Sequence, residues 1–173
     1  MSCKSTMYVV EGETEERFLK EMIYLNYIRP GRIKIYNIMQ NEICESDSIM
    51  LKKNDVIFCF IDTDCIERKN LNKFCNNIKF LKKIGRVIVF VQNKNFEDEL
   101  RKIFGVTDLK ATFGCRGHIK EYLAQEIVYE RRLSKDDLKK YCKFPEQFIE
   151  CYKSCGYVIK GYEINTGCGK CCL

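Results

Sequence analysis

Carboxylate side chains follow three apolar segments of the sequence, and their types and spacing suit metal chemistry. Glu11 follows "MYVV", Asp62 and Asp64 follow "VIFCFI", and Glu97 comes shortly after "RVIVFV". Carboxylates that lie close together repel one another unless solvent, a base or a cation relieves the charge. Oxygen ligands of this kind suit Mg²⁺ or Mn²⁺. The four acids therefore predict a divalent-metal site, although one acidic strand end alone would be explained equally well by a solvated loop.

The apolar segments that precede these acids have the length of buried strands, and amphipathic segments separate them. The pattern predicts strands at 7–10, 33–39, 56–61 and 86–91. It predicts helices at 14–27, 69–83 and 96–104. Such an alternation indicates an α/β fold with a mostly parallel sheet flanked by helices. Sites in such sheets lie beyond the carboxyl ends of the strands, so we expect the acids to meet at one edge.

The segments that carry these acids lie in the first two thirds of the chain, and the segments after them have helical patterns. We predict an α/β domain over residues 1–110 and a helical C-terminal extension over 111–173 that packs on the same domain. Helical patterns in the extension cover 117–129, 134–142 and 145–154. The extension ends in a cysteine-rich tail.

Composition limits the classes of protein to which the chain can belong. It has 173 residues, of which 46% are hydrophobic, and a net charge of +6. Those values are typical of a globular chain and permit a phosphate-bearing partner without requiring one. No apolar run approaches the roughly 20 residues that a membrane helix needs. The first residues, "MSCKST", lack the apolar core of a signal peptide. We expect a cytoplasmic protein without a membrane partner.

Twelve cysteines are present, and four of them near the C-terminus have spacings that suit a structural zinc site. Cys168 and Cys171 form a C-x-x-C pair, and Cys151 and Cys155 supply two further thiols. The alternative is a frayed terminus with a biased composition. Cysteines elsewhere in the chain are predicted to be reduced and to act as small hydrophobic residues.

Basic residues after position 115 are candidates for contacts with nucleic acid. "GCRGHIKEYL" carries Arg116, His118 and Lys120, and Lys120 is the candidate for a phosphate contact. His118 is the only histidine, and a lone histidine is more often structural than catalytic. Arg131 and Arg132 lie in "ERRLSKDDLKKYCK", which is either a solvated helix face or a surface for the nucleic-acid backbone.

The motifs "VVEGETEERFL" and "FIDTD" resemble the Toprim domain, the Rossmann-like fold shared by topoisomerases, primases and several nucleases. The "EGxTE" form and the later "NKNFE" are similar to the small Toprim proteins of bacterial defence, which include the overcoming-lysogenisation-defect nucleases and the RloB-like proteins. The resemblance covers roughly residues 7–100. The chain lacks the tyrosine-bearing domains of a topoisomerase and the zinc-binding and helicase-binding domains of a primase.

The resemblance implies a metal-dependent nuclease, a phosphodiesterase that acts on DNA or on RNA such as tRNA in anti-phage defence. It implies that Glu11 is a general acid/base or a metal ligand and that Asp62 and Asp64 are metal ligands. It also implies that Glu15 is the second glutamate of the first motif, and Glu97 fits the later segment. The implied partners are nucleic acid, a separate ATPase and a second copy of the chain. Lys120 would add charge stabilisation at the phosphate.

Two other hypotheses are compatible with the sequence. The chain would be a non-catalytic Toprim-like subunit if it bound a nucleotide or a partner protein and regulated a larger defence complex. It contains no G-x-x-x-x-G-K-[ST] loop with which to bind ATP itself. A phosphoacceptor receiver-like domain also has acids at strand ends, but "EGETE" and "DTD" fit that pattern less well.

Overall fold

Four segments of the chain pair side by side as parallel strands in the computed structural model. They are β1 (Thr6–Val10), β2 (Arg32–Ile35), β3 (Val56–Asp62) and β4 (Arg86–Gln92). The order of strands across the sheet is β2-β1-β3-β4, and every pairing is parallel. The prediction of an α/β fold with a parallel sheet is therefore confirmed.

The structure describes residues 5–44, 56–64, 68–92, 94–125, 157–160 and 163–166, together with residues 129, 132 and 134. Several predictions lie outside these residues. They are the helices at 134–142 (apart from residue 134) and 145–154, Arg131, and the cysteines Cys151, Cys155, Cys168 and Cys171.

Helices cover both faces of the sheet. They are α1 (Glu13–Tyr24), α2 (Arg68–Ile84), α3 (Phe96–Phe104), α4 (Leu109–Phe113) and α5 (Ile119–Gln125). The apolar side of α2 packs on one face, whereas α1, α3, α4 and α5 contribute to the core on the other face. None of the described helices is long and apolar enough to cross a lipid bilayer.

Alternate residues of each central strand enter the two cores, which explains the unbroken apolar runs in the sequence. Met7 and Val9 of β1 belong to the core under α2, whereas Tyr8 and Val10 belong to the core under α1. All five residues of β1 are buried. The second core contains stacked rings, such as Phe60 on Phe90 with 4.8 Å between ring centroids. Burial on both faces leaves the strand ends as the place for polar groups.

The second strand is shorter than predicted, and a side chain explains why. The sequence predicts a strand over 33–39, but β2 ends at Ile35. The backbone N–H of Tyr36 still donates to the carbonyl of Val10 at 2.7 Å. Beyond it, Asn37 Oδ1 accepts hydrogen bonds from the backbone N–H groups of Met39 and Gln40, both at 3.0 Å. These bonds turn the chain away from the sheet.

Three further elements are absent from the sequence prediction. The short helix α4 begins after Asp108, whose Oδ1 accepts from the backbone N–H groups of Lys110 and Ala111, and it ends at Gly114 with φ 68°. Strands β5 (Tyr157–Lys160) and β6 (Glu163–Thr166) form an antiparallel pair. The C-terminal extension therefore contains strands as well as helices.

Candidate functional site

The parallel pairing of β1 with β3 brings Glu11 and Asp62 to the same edge of the sheet. Glu11 is the first residue after β1, and Asp62 is the last residue of β3. Glu11 Oε1 accepts a hydrogen bond from the backbone N–H of Asp62 at 3.1 Å. Glu11 Oε2 accepts one from Asn37 Nδ2 at 2.8 Å. Both oxygens of Glu11 are therefore held, and the carboxylate joins three neighbouring strand ends.

Two more carboxylates are supplied by the first turns of helices that start at this edge. Glu15 lies in the first turn of α1 and Glu97 in the first turn of α3, and both are buried, at 5% and 6% exposure. A helix N-terminus favours negative charge because its N–H groups are unsatisfied there. Glu15 Oε2 lies so close to Gly12 that a Cβ at that position would approach it to 3.2 Å.

A cleft of about 390 Å³ opens between these acids. Side chains from three strand ends and from helices α1, α3 and α5 surround it. Its lining residues are Glu11, Gly12, Glu13, Thr14, Glu15, Asn37, Asp62, Phe96, Glu97, Lys120, Glu121 and Ala124. The cleft lies where parallel sheets usually bind ligands, beyond the carboxyl ends of the strands.

Burial and repulsion between neighbouring charges disfavour the ionised forms of Glu11, Asp62 and Glu15. Burial, and then repulsion from Glu15 and Asp64, raises the pKa of Glu11 to about 7, against the opposing effect of the Asp62 N–H bond. Burial, and then the charges of its acidic neighbours, raises the pKa of Asp62 to about 9. Burial also raises the pKa of Glu15. A cation in the cleft would remove much of this penalty.

The donor set fits a hard divalent cation. Asp62 Oδ1 is buried and accepts no hydrogen bond from the described residues. Its lone pairs are therefore available to coordinate a metal ion. No three acidic, histidine or cysteine side chains of the described segments already form a metal cage. Mg²⁺ rarely needs such a cage, because it keeps several waters and binds through one or two carboxylates. Asp62 and Glu11 are the residues placed to supply those.

Asp64 lies beside the cleft and does not line it. Its side chain is exposed, and its backbone N–H donates to the carbonyl of Lys94 at 3.1 Å. It acts on the cleft through its charge, which raises the pKa values of Glu11 and Asp62. The one-residue spacing of "DTD" thus sends the two aspartates to different environments, which the sequence pattern does not predict.

Thr63, between the two aspartates, joins the loops that follow β3 and β4. Its hydroxyl donates to the carbonyl of Gln92 at 3.0 Å and accepts from the backbone N–H of Lys94 at 2.7 Å. Its own N–H donates to the carbonyl of Lys94 at 2.9 Å. Lys94 has a left-handed backbone, with φ 65°. Sequence analysis did not single out Thr63, because a threonine in a loop carries no distinctive signal.

Among the predicted basic residues that the structure describes, Lys120 lines the cleft and the others do not. Its ammonium lies 3.6 Å from Glu97 Oε2, and its side chain is 70% exposed. Arg116 and His118 are exposed and are not among the lining residues. Arg132 donates to the carbonyl of Thr112 at 3.2 Å and covers the ring of Phe113. Arg132 thus packs on α4, whereas Lys120 places an exposed ammonium beside the cleft, where it can contact an anion.

Comparison of the chain with protein-family models, with curated protein sequences and with solved structures finds no match. The resemblance to Toprim proteins therefore depends on the motifs in the sequence.

Proposed function

We propose that the chain is a Toprim-like, metal-dependent phosphodiesterase that cleaves nucleic acid. One observation carries the proposal: Glu11 is hydrogen-bonded to the backbone of Asp62 in a cleft where Asp62 Oδ1 has no donor among the described residues. Glu15, Glu97 and Lys120 line the same cleft. Clustered acids with one adjacent cation suit a substrate that carries negative charge and is bound through a divalent metal ion.

Different residues of the cleft would bind the metal ion, accept a proton and contact the phosphate. Asp62 and Glu11 would hold Mg²⁺ or Mn²⁺, which when bound neutralises phosphoryl charge and makes water more acidic. Glu15 is suited to accept the proton of the attacking water, because its raised pKa makes it a better base than an ordinary carboxylate. Lys120 would contact a phosphoryl oxygen and stabilise the charge that develops there.

The nature of the substrate follows from the resemblance and from the charge. A net charge of +6 favours a polyanion, and the exposed ammonium of Lys120 lies at the mouth of the acidic cleft. RNA such as tRNA, a role in anti-phage defence, a separate ATPase partner and a homodimer are all parts of the proposal that the resemblance supplies.

The test is cleavage of a panel of single-stranded DNA, duplex DNA and tRNA, with Mg²⁺, with Mn²⁺ and with EDTA. Asp62→Asn should abolish metal-dependent cleavage while the protein stays folded. Asp98→Asn is the matched control, because Asp98 pairs with Arg101 on the surface of α3 and does not line the cleft. Equal activity of the wild type and Asp62→Asn would exclude the cleft as the active site.

A non-catalytic, regulatory function is the second candidate. Both oxygens of Glu11 already accept hydrogen bonds, and such an arrangement also suits a carboxylate with a purely structural role. This candidate predicts that the purified chain binds nucleic acid or a nucleotide but cleaves none of the panel with either metal.

A further inference from the structure

The side chain of Asn37 has two separate tasks at the edge of the cleft. Its oxygen accepts from the backbone N–H groups of Met39 and Gln40, each at 3.0 Å. Its nitrogen donates to Glu11 Oε2 at 2.8 Å. Asn37 follows β2, whereas Glu11 follows β1. The amide therefore connects the turn after β2 to the acid that follows the neighbouring strand of the sheet.

The two backbone donors fix which way the amide faces. The oxygen of Asn37 must point to Met39 and Gln40, because a side-chain NH₂ group in that place would oppose two N–H groups. The nitrogen must then point to Glu11. The contact with Glu11 is therefore a donation from Asn37, and its direction is set by the turn and not by Glu11 itself.

The structure assigns Asn37 as the positioning residue of Glu11, an inference that rests on the proposed function of the cleft. Asn37 Oδ1 is occupied by two backbone donors, so the residue acts through Glu11 and not as a metal ligand. With Asn37 Nδ2 on one oxygen and the N–H of Asp62 on the other, the plane of the Glu11 carboxylate is fixed. Its remaining lone pairs are thereby directed before a metal arrives.

The turn and the positioning role can be separated by substitution. Asn37→Ser keeps an oxygen that can accept from the turn, but its shorter side chain has no amide nitrogen with which to donate to Glu11. Asn37→Ala removes both. We expect the thermal midpoint of Asn37→Ser to stay close to that of the wild type and that of Asn37→Ala to fall.

Metal binding and catalysis should depend on the hydrogen bond that Asn37 donates to Glu11 and not on the hydrogen bonds that it accepts in the turn. Both variants should bind Mn²⁺, measured by electron paramagnetic resonance, about 10-fold more weakly than the wild type, as is typical when a partner of a metal ligand is lost. The turnover number should fall while KM for nucleic acid stays unchanged. Full recovery of Mn²⁺ affinity in Asn37→Ser would overturn the assignment, because the turn alone would then account for Asn37.

A double-mutant cycle in EDTA tests the contact without metal or activity. Urea unfolding of Asn37→Ser, Glu11→Ala and the double variant should give a coupling of about fivefold in the unfolding equilibrium constant. A coupling near onefold would overturn the positioning role. The proposed function can also fail by itself. If the cycle shows clear coupling but the wild type neither binds Mn²⁺ nor cleaves nucleic acid, Asn37 still positions Glu11 and the proposed function is rejected.

Discussion

Thr63 and Lys94 are joined by a reciprocal pair of hydrogen bonds. The hydroxyl of Thr63 accepts from the N–H of Lys94 at 2.7 Å, and the carbonyl of Lys94 accepts from the N–H of Thr63 at 2.9 Å. The pair locks the loop after β3 to the loop after β4. Asp62 and the start of α3, which carries Glu97, are thereby held at a fixed separation across the cleft.

Thr63→Val should destabilise the protein. Valine has nearly the same shape, but it leaves the N–H of Lys94 and the carbonyl of Gln92 without the hydroxyl partner. Because Thr63 is buried, the loss should be about 1–3 kcal/mol in the free energy of unfolding. Urea unfolding measures it, and Thr63→Ser, which keeps the hydroxyl, should lose much less. Equal losses for the two variants would show that the methyl group matters and the hydroxyl does not.

Stability of the metal-free protein should fall as pH rises. The pKa of Asp62 is raised from 3.8 to about 9 and that of Glu11 from 4.5 to about 7. The folded state therefore binds these protons more tightly than the unfolded state. The contribution of Asp62 to the free energy of unfolding is fully present below pH 3.8 and is lost as the pH rises through about 9. Thermal unfolding in EDTA across this range checks the sign.

The same scan on Asp62→Asn isolates the contribution of that carboxyl group. The variant should show a flatter dependence on pH and a higher thermal midpoint than the wild type at pH 8 without metal. Saturating Mg²⁺ should raise the midpoint of the wild type and leave that of Asp62→Asn almost unchanged. Parallel pH curves for the two proteins would mean that Asp62 ionises freely in the folded state.

Lys120→Ala should weaken binding of nucleic acid and reduce its dependence on salt. Loss of one phosphate contact lowers the slope of log K against log salt by about one. Lys20→Ala is the matched control, since Lys20 pairs with Glu16 at 2.8 Å on α1 and does not line the cleft. Fluorescence anisotropy at several salt concentrations gives both slopes, and an equal change in the two variants would contradict a specific role for Lys120.

Glu15→Gln should lower the rate of cleavage about 100-fold or more, in the range usual for loss of a general base. The fold should survive, because glutamine has the same shape and removes a charge that burial opposes. Glu16→Gln, one residue along the same helical turn, should cleave at the rate of the wild type. Single-turnover cleavage with saturating Mg²⁺ measures both, and a fully active Glu15→Gln would assign the proton transfer to another group.

Much of the sheet could be predicted because its signals are local. The strands β1, β3 and β4 each contain an unbroken apolar run, at 7–10, 56–61 and 87–91, and parallel pairing then requires the ends of these strands to share an edge. Glu11 and Asp62 were found in this way. The short helix α4 was missed, although Asp108 and Gly114 carry the usual signals of a helix start and end.

The parts of the site that escaped prediction depend on contacts between distant segments. Asn37 and Glu11 are 26 residues apart, and nothing next to Asn37 in the sequence indicates that its amide will meet a carboxylate. Likewise, the exposure of Asp64 depends on the loop after β4, which draws its backbone towards Lys94. Spacing alone predicts that Asp62 and Asp64 both face the cleft, whereas in the structure Asp62 lines the cleft and Asp64 is exposed beside it.

The order of strands has a consequence for biosynthesis. β1 lies inside the sheet between β2 and β3, yet it precedes both in the chain. While the chain is being made, β1 can obtain its second partner only after Val56 has emerged from the ribosome. Until then one edge of a largely apolar strand has no partner, and such edges favour aggregation. We expect nascent chains from which Val56 has not yet emerged to be the form most dependent on chaperones.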